Sequence, residues 1–160
     1  MITHKIKDGV YSVGVQNPNL RVFDIIMQTE FGTTYNAYLV KGNDKTALIE
    51  TCHVKFFDEY LENISAICDI KDIDYIVMNH TEPDHSGSIR KVLELNPNIT
   101  LVASVAGINY LKAITNMEFQ SVTAKDGDVI DLGGKTLQFV SAPQLHWPDS
   151  MFTYLKEDSV

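Results

Sequence analysis

Several things are scarce in this sequence, and each shortage removes a class of protein. Basic residues are few: 13 Lys and Arg stand against 21 Asp and Glu in 160 residues, a formal net charge of −8. The only adjacent basic pair is Arg90-Lys91. The electrostatic footprint of a nucleic-acid binder is therefore missing, and phosphate backbones and anionic membranes are poor partners. Cysteine is nearly absent. Cys52 and Cys68 have no C-x-x-C spacing and read as free, buried thiols in a reducing compartment, with a disulfide or a metal thiolate as the alternatives. Long apolar runs are lacking too: the stretch from Ile73 to Met78 is broken by Asp74 and Tyr75, far short of the roughly 20 residues that span a bilayer. Residues Met1 to Asp8 carry no apolar run of the kind a signal peptide needs, which gives the expectation of a cytoplasmic protein. No repeat, low-complexity tract or Pro/Ser-rich linker marks a boundary, so residues 1–160 read as one unit.

What is present is enough for a core. Apolar residues make up 44% of the chain, and 15 are aromatic. At this length folding buries roughly 70% of the surface exposed by the unfolded chain. Short β-rich segments come first, at 9–15, 21–23, 34–40 and 46–50, separated by Gly, Asn, Asp and Pro. Lys41-Gly42-Asn43-Asp44 is the clearest turn. From Val54 to Ile67 the period changes, with Phe57, Tyr60, Leu61, Ile64 and Ile67 recurring at helical steps. A buried strand is predicted over 73–78, a helix over 87–95 ending at Asn96-Pro97, a strand over 100–103, and a helix over 106–115 with Ile108, Leu111 and Ile114 on one face. Strands return at 119–122, 129–132, 136–140 and 151–155, with a Gly133-Gly134 turn. Strands, then alternating strands and helices, then strands again indicate an α/β or α+β layered domain.

The strand at 73–78 delivers the chain into Asn79-His80-Thr81-Glu82-Pro83-Asp84-His85-Ser86-Gly87. His80, Glu82, Asp84 and His85 are four metal-capable side chains within six positions. They lie where functional loops of α/β proteins lie, beyond the carboxyl end of a strand. The bland alternative is a polar loop with a capping Asp and solvated histidines; any one of these residues alone would fit it, but the four together do not. In an extended segment His80, Glu82 and Asp84 would point one way. His85 would turn toward a second position, so two adjacent metals are easier to accommodate than one. Imidazole with carboxylate suits iron, manganese or zinc. A second segment, Ala142-Pro143-Gln144-Leu145-His146-Trp147-Pro148-Asp149-Ser150-Met151, holds His146 between two backbone-stiffening prolines. It offers a third imidazole, and Trp147, the only tryptophan, is expected to pack beside the site.

The loop His80-x-Glu82-x-Asp84-His85-Ser86-Gly87 resembles the metal motif of the flavodiiron proteins, a branch of the metallo-β-lactamase superfamily. The segment His146-Trp147-Pro148-Asp149-Ser150-Met151 is similar to their next ligand segment. Glu82, where the hydrolases of that superfamily carry His, marks the iron-binding oxidoreductase branch. The resemblance implies an αββα sandwich, of which this chain is the N-terminal half. It also implies two iron ions, one held by His80, Glu82 and His146 and the other by Asp84 and His85. The family reduces dioxygen to water, nitric oxide to nitrous oxide, or both. Electrons come from FMN in a flavodoxin-like domain, presented by the partner subunit of a homodimer or higher oligomer and fed by a rubredoxin-type donor. By the same resemblance, a bridging Asp, a last His and the flavin domain fall beyond Val160, so the chain alone is expected to be inactive. Glu50 stands where many members carry Asp and is placed beside the ligands rather than among them. Half a sandwich is expected to leave one apolar sheet face bare and so to self-associate, with exchange of elements between chains as one route. Two other readings compete: a dizinc hydrolase, which zinc in place of iron would favour, and a non-catalytic oligomerising remnant, which a stable metal-free dimer would favour.

Overall fold

A computed structural model describes residues 3–160. Its strands are β1 (His4–Lys7), β2 (Val10–Ser12), β3 (Val15–Asn17), β4 (Val22–Phe23), β5 (Met27–Gln28), β6 (Thr33–Tyr35), β7 (Tyr38–Lys41), β8 (Thr46–Ile49), β9 (Tyr75–Met78), β10 (Thr100–Ala103), β11 (Gln120–Thr123), β12 (Val129–Asp131), β13 (Thr136–Ser141) and β14 (Met151–Leu155). Its α-helices are α1 (Phe57–Ser65), α2 (Pro83–Ser86), α3 (Ile89–Leu95) and α4 (Val105–Thr115).

The central strands carry apolar side chains at consecutive positions, as a sheet covered on both faces requires. In β8, Leu48 faces one core while Ala47 and Ile49 face another. In β9, Ile76 and Met78 face the first and Val77 the second; in β10, Leu101 and Ala103 divide from Val102 in the same way. These strands form the middle of a seven-stranded sheet ordered β1-β2-β7-β8-β9-β10-β11. Pairing is antiparallel from β1 to β8 and parallel from β8 to β11. The parallel connections run through α1, α3 and α4, which place Phe57, Tyr60, Ile64, Ile89, Val92, Leu93, Ile108 and Leu111 in the first core. Ser104 caps α4 by accepting from the Gly107 N–H at 3.1 Å, and Asn116 closes it in the left-handed region at φ 49°.

The second face of this sheet is not bare. A three-stranded antiparallel sheet, β12-β13-β14, lies against it and supplies Leu137, Phe139, Met151 and Leu155 to the second core. Alternation along β13 and β14 provides that inner face. The unpartnered surface is one layer further out than the sequence implied: the outward side chains Val129, Val140, Phe152 and Tyr154 are 52%, 42%, 54% and 41% exposed. The two sheets are joined at a turn as well. Gly42 lies so close to Leu132 that a Cβ there would meet its carbonyl oxygen at 1.9 Å, and Asn43 N–H donates to Gly133 O at 2.7 Å.

Local differences from the sequence reading have identifiable causes. The predicted helix over 54–67 opens with a 3-10 turn at Val54–Phe56, where His53 Nδ1 accepts from the Lys55 N–H. Strand β9 starts two residues late because Asp69 caps another 3-10 turn at Ile70–Asp72. Ile114 is 47% exposed, and Thr115 is buried in its place, donating back to Leu111 O at 2.8 Å. Cys52 and Cys68 are free, but only Cys52 is fully buried; Cys68 is half-buried.

Candidate metal centre

Strand β9 is almost wholly buried, and the loop that follows is pinned from both sheets. Asn79 N–H donates to Glu50 Oε1, Met151 N–H donates to Asn79 O at 3.0 Å, and Thr153 Oγ1 donates to Asn79 Oδ1 at 2.7 Å. Past His80 the chain does not stay extended. Glu82 is the last extended residue (φ −60°, ψ 150°), and Pro83 occupies the first turn of α2. Proline's fixed φ suits that place, and its missing N–H costs nothing there. The winding at Pro83 ends the extended alternation before Asp84, whose carboxylate pairs with His85 rather than joining His80 and Glu82.

His80, Glu82 and His146 are brought together instead, each offering one ligand atom, all within 4.8 Å of one another. Glu82 Oε2 lies 3.1 Å from His80 Nε2 and 3.4 Å from His146 Nε2. Asp84 goes to His85, with Oδ2 3.5 Å from Nε2, and the other imidazole nitrogen of His85 lies 3.3 Å from Glu50 Oε2. The two groups are neighbours, since the His80 and His85 rings are 5.3 Å apart and those of His80 and His146 are 4.9 Å apart. His80 is buried, Glu82, Asp84 and His85 are half-buried, and His146 is exposed. The histidines are thus not a uniformly solvated set. Trp147 packs its ring edge to face on His80, with centroids 5.1 Å apart.

His146 sits in a loop closed by its own backbone. Ala142 N–H donates to Ser150 O at 3.1 Å, Gln144 N–H to Trp147 O at 2.9 Å, and Gln144 takes φ 67°. Glu50 is also left-handed, at φ 65°. Such a backbone costs a residue with a side chain about 1–3 kcal/mol and is found mostly where function over-determines it.

Among the described residues, Glu50 Oε2 and Asp84 Oδ1 are the buried side-chain oxygens without a hydrogen-bond partner. Glu50 Oε2 is within ion-pair distance of His85, yet the alignment is not that of a hydrogen bond. Burial pushes the Glu50 carboxyl up, opposed by His85. Burial pushes His85 down, but the Glu50 carboxylate outweighs it, with help from Asp84 and Glu82, and the net direction is upward. Two orphaned carboxylate oxygens beside a converging nitrogen and oxygen set are what a cation would satisfy.

Asp149 joins the centre without being one of the candidate residues of the two motifs: it stands in the His146 segment, is 1% exposed and faces His80 Nδ1. Its signal is positional, an acid three residues beyond His146 in a Pro-stiffened turn. Glu50 was placed near the ligands, and its contact with His85 is direct.

Residues 33–160 match the family model described as ODP family β-lactamase. The chain belongs to the ODP family of β-lactamase domains. It is 60% identical over 158 residues to the flavo-diiron protein FprA2 of Clostridium acetobutylicum, covering 98% of this chain and 39% of that protein. It is 41% identical over 157 residues to a nitric oxide reductase of Moorella thermoacetica, covering 97% of this chain and 39% of that one. The structure of rubredoxin:oxygen oxidoreductase from Desulfovibrio gigas superposes with a TM-score of 0.92 at 33% identity, covering 98% of this chain and 39% of that one. This ODP chain thus spans about two fifths of the length of the curated relatives it matches. Its fold is metallo-β-lactamase-like, as the motif resemblance implied. No helix among the described residues is long and apolar enough to cross a membrane.

Proposed function

We propose that this chain is the metal-binding part of a flavodiiron oxidoreductase that reduces dioxygen to water, nitric oxide to nitrous oxide, or both. The observation that carries this reading is the convergence of His80, Glu82 and His146 from two loops onto one point. In this reading those three hold one iron, and Asp84 and His85 face a second. The relatives' names, a flavo-diiron protein and a nitric oxide reductase, support the choice of chemistry. Nitrogen and carboxylate donors suit an iron that changes oxidation state while keeping an open position for a small diatomic molecule.

The chain's own side chains perform the tasks of holding and screening. Glu82 sets its Oε2 between two imidazoles, so its charge offsets that of an ion seated there. The Trp147 ring covers one side of His80 and keeps water from it. A groove of about 280 Å³ opens between Glu82, Pro83 and Asp84 and the hairpin residues Val22, Phe23 and Asp24. The apolar side chains Ile25, Ile26, Phe31 and Leu145 stand exposed at 92%, 83%, 82% and 71%. In this reading a flavodoxin-like domain of a partner subunit, carrying FMN and fed by a rubredoxin-type donor, supplies electrons, and exposed apolar side chains of this kind are what such a partner would cover. Residues 1–160 are in this reading the N-terminal portion of a diiron domain, assembled as a homodimer or higher oligomer in the cytoplasm, where the free thiols Cys52 and Cys68 are at home. Residues 1–160 by themselves, about two fifths of the relatives' length, are expected to show little turnover.

The test is elemental analysis of the 160-residue chain purified from cells supplied with both iron and zinc. At least one iron per chain is expected. Zinc in its place would favour a hydrolase, and less than one metal ion per chain in a stable dimer would favour a non-catalytic module.

A further inference from the structure

The proposed function leaves Asp149 without a task, although its carboxylate is among the most enclosed polar groups of the described residues, at 1% exposure. Asp149 Oδ2 accepts from the Thr81 N–H at 2.8 Å and from Thr81 Oγ1 at 2.7 Å. Both carboxylate oxygens face His80 Nδ1, at 3.1 and 3.2 Å. The Asp149 carbonyl accepts from Ser104 Oγ at 2.9 Å, the same hydroxyl that caps α4. One residue of the His146 loop therefore grips the His80 loop through its side chain and the start of α4 through its backbone.

The chemistry of these partners bears on the state of His80, which has an acceptor at each ring nitrogen, Asp149 at Nδ1 and Glu82 at Nε2. A carboxylate only accepts, so the contact with Nδ1 is a hydrogen bond only when Nδ1 carries the proton. The lone pair of a neutral His80 is then on Nε2, the atom turned toward Glu82 Oε2 at 3.1 Å. A lone pair and a carboxylate oxygen facing each other are compatible when a cation lies between them. We propose that Asp149 is a positioning residue that fixes His80 in the Nδ1–H tautomer and locks the two ligand-bearing loops to each other. This rests on the reading of His80, Glu82 and His146 as ion ligands. A carboxylate or carbonyl behind a ligating histidine fixes its tautomer and ring orientation, and its loss typically costs 10–100-fold in metal affinity.

Asp149→Asn separates this role from plain structural filling. The amide has the carboxylate's shape, but whichever way it turns it sets an NH₂ donor where the carboxylate only accepts, against Thr81 or against His80 Nδ1. If its oxygen faces Thr81, its NH₂ faces Nδ1, and His80 is driven to the Nε2–H tautomer, which has no lone pair for an ion. Long-range nitrogen–proton correlation spectra of the metal-free chain read the tautomer directly, and titration with ferrous iron under anaerobic conditions reads the affinity. The expected result is Nδ1–H at His80 in the unsubstituted chain, Nε2–H in Asp149→Asn, and a 10–100-fold loss of iron affinity. An unchanged tautomer with affinity within twofold in a folded variant overturns the proposal. Should the variant not fold, an Nε2–H tautomer in the unsubstituted chain overturns it equally. Failure of the unsubstituted chain to bind iron would count against the ligand reading, whereas the tautomer of the metal-free chain is decided independently of it.

Discussion

Glu82 and His146 lie 64 positions apart in sequence and 3.4 Å apart at their nearest side-chain atoms. Glu82 opens the turn beyond a strand of the large sheet, and His146 belongs to the connection between two strands of the small one. The group of His80, Glu82 and His146 thus depends on the docking of two sheets as well as on each loop.

From that arrangement, His146→Ala and Asp84→Ala should differ in their effects. The first removes one of three converging donors and should lower iron binding at the His80–Glu82 position by 10-fold or more. The second should spare that position and lower only a second equivalent. Anaerobic titration followed by elemental analysis distinguishes the two; equal losses in both variants would contradict the division into a three-residue and a two-residue group.

The small sheet should behave as part of one cooperative unit. Phe139 is 2% exposed and sits with Val77, Val102 and Met151 between the layers. Phe139→Ala should cost about 3–5 kcal/mol, read as a lowered urea midpoint with an unchanged slope. A change of slope with little loss of stability would mean that the small sheet unfolds separately.

The two thiols should react at very different rates. Burial pushes the Cys52 thiol up to about 11, and its Sγ lies 3.4 Å from Ser88 Oγ. Burial raises Cys68 too, but that residue is only half-buried. Since thiolate is the reactive form, a thiol at that value is ionised on the order of one part in a thousand at pH 8. Alkylation followed by mass spectrometry should mark Cys68 first and Cys52 only on unfolding; Cys52 labelled at a comparable rate would refute the burial argument.

Self-association should follow from the outer face of the small sheet. Phe152, Val140, Tyr154 and Val129 form an exposed apolar set on adjacent strands, of the kind that marks an interaction surface. Light scattering should show a species larger than a monomer, and Phe152→Asp should shift it toward monomer. The free edge of β14 is a poorer route. Leu155 N–H already donates to Val160 O at 2.7 Å, and Met151 N–H to Asn79 O, which leaves little backbone to pair with.

Much of this was legible in the sequence, for physical reasons that differ by residue. The short apolar run at 73–78 announced β9 as a buried strand, the β-rich segments at 46–50 and 100–103 announced β8 and β10, and the step between Phe57, Tyr60 and Ile64 announced α1. Strand β1 was missed because all four of its residues are exposed, so no alternation marks it. Strand β5 was missed because Met27 and Gln28 pair with only two residues across a hairpin. At the centre, all five candidate side chains were named from the two motifs, but their division was not readable from spacing alone. It turns on Pro83, which winds the chain between Glu82 and Asp84. Asp149 was hidden for another reason: an acid's burial is set by what folds over it, here Thr81 and Ser104 from distant parts of the chain.

The placement of His80 and Glu82 on one layer and His146 on the other has a consequence for folding as well as for chemistry. An ion shared by these residues, as proposed, would cross-link the two sheets and close a long stretch of chain into a loop, as a disulfide would. In chain-entropy terms such closure is worth roughly 2–4 kcal/mol, and any ligand that binds only the docked form adds to it. Metal supply then becomes a mechanical setting: a starved cell would hold the same chain with its small sheet more loosely fastened to the large one.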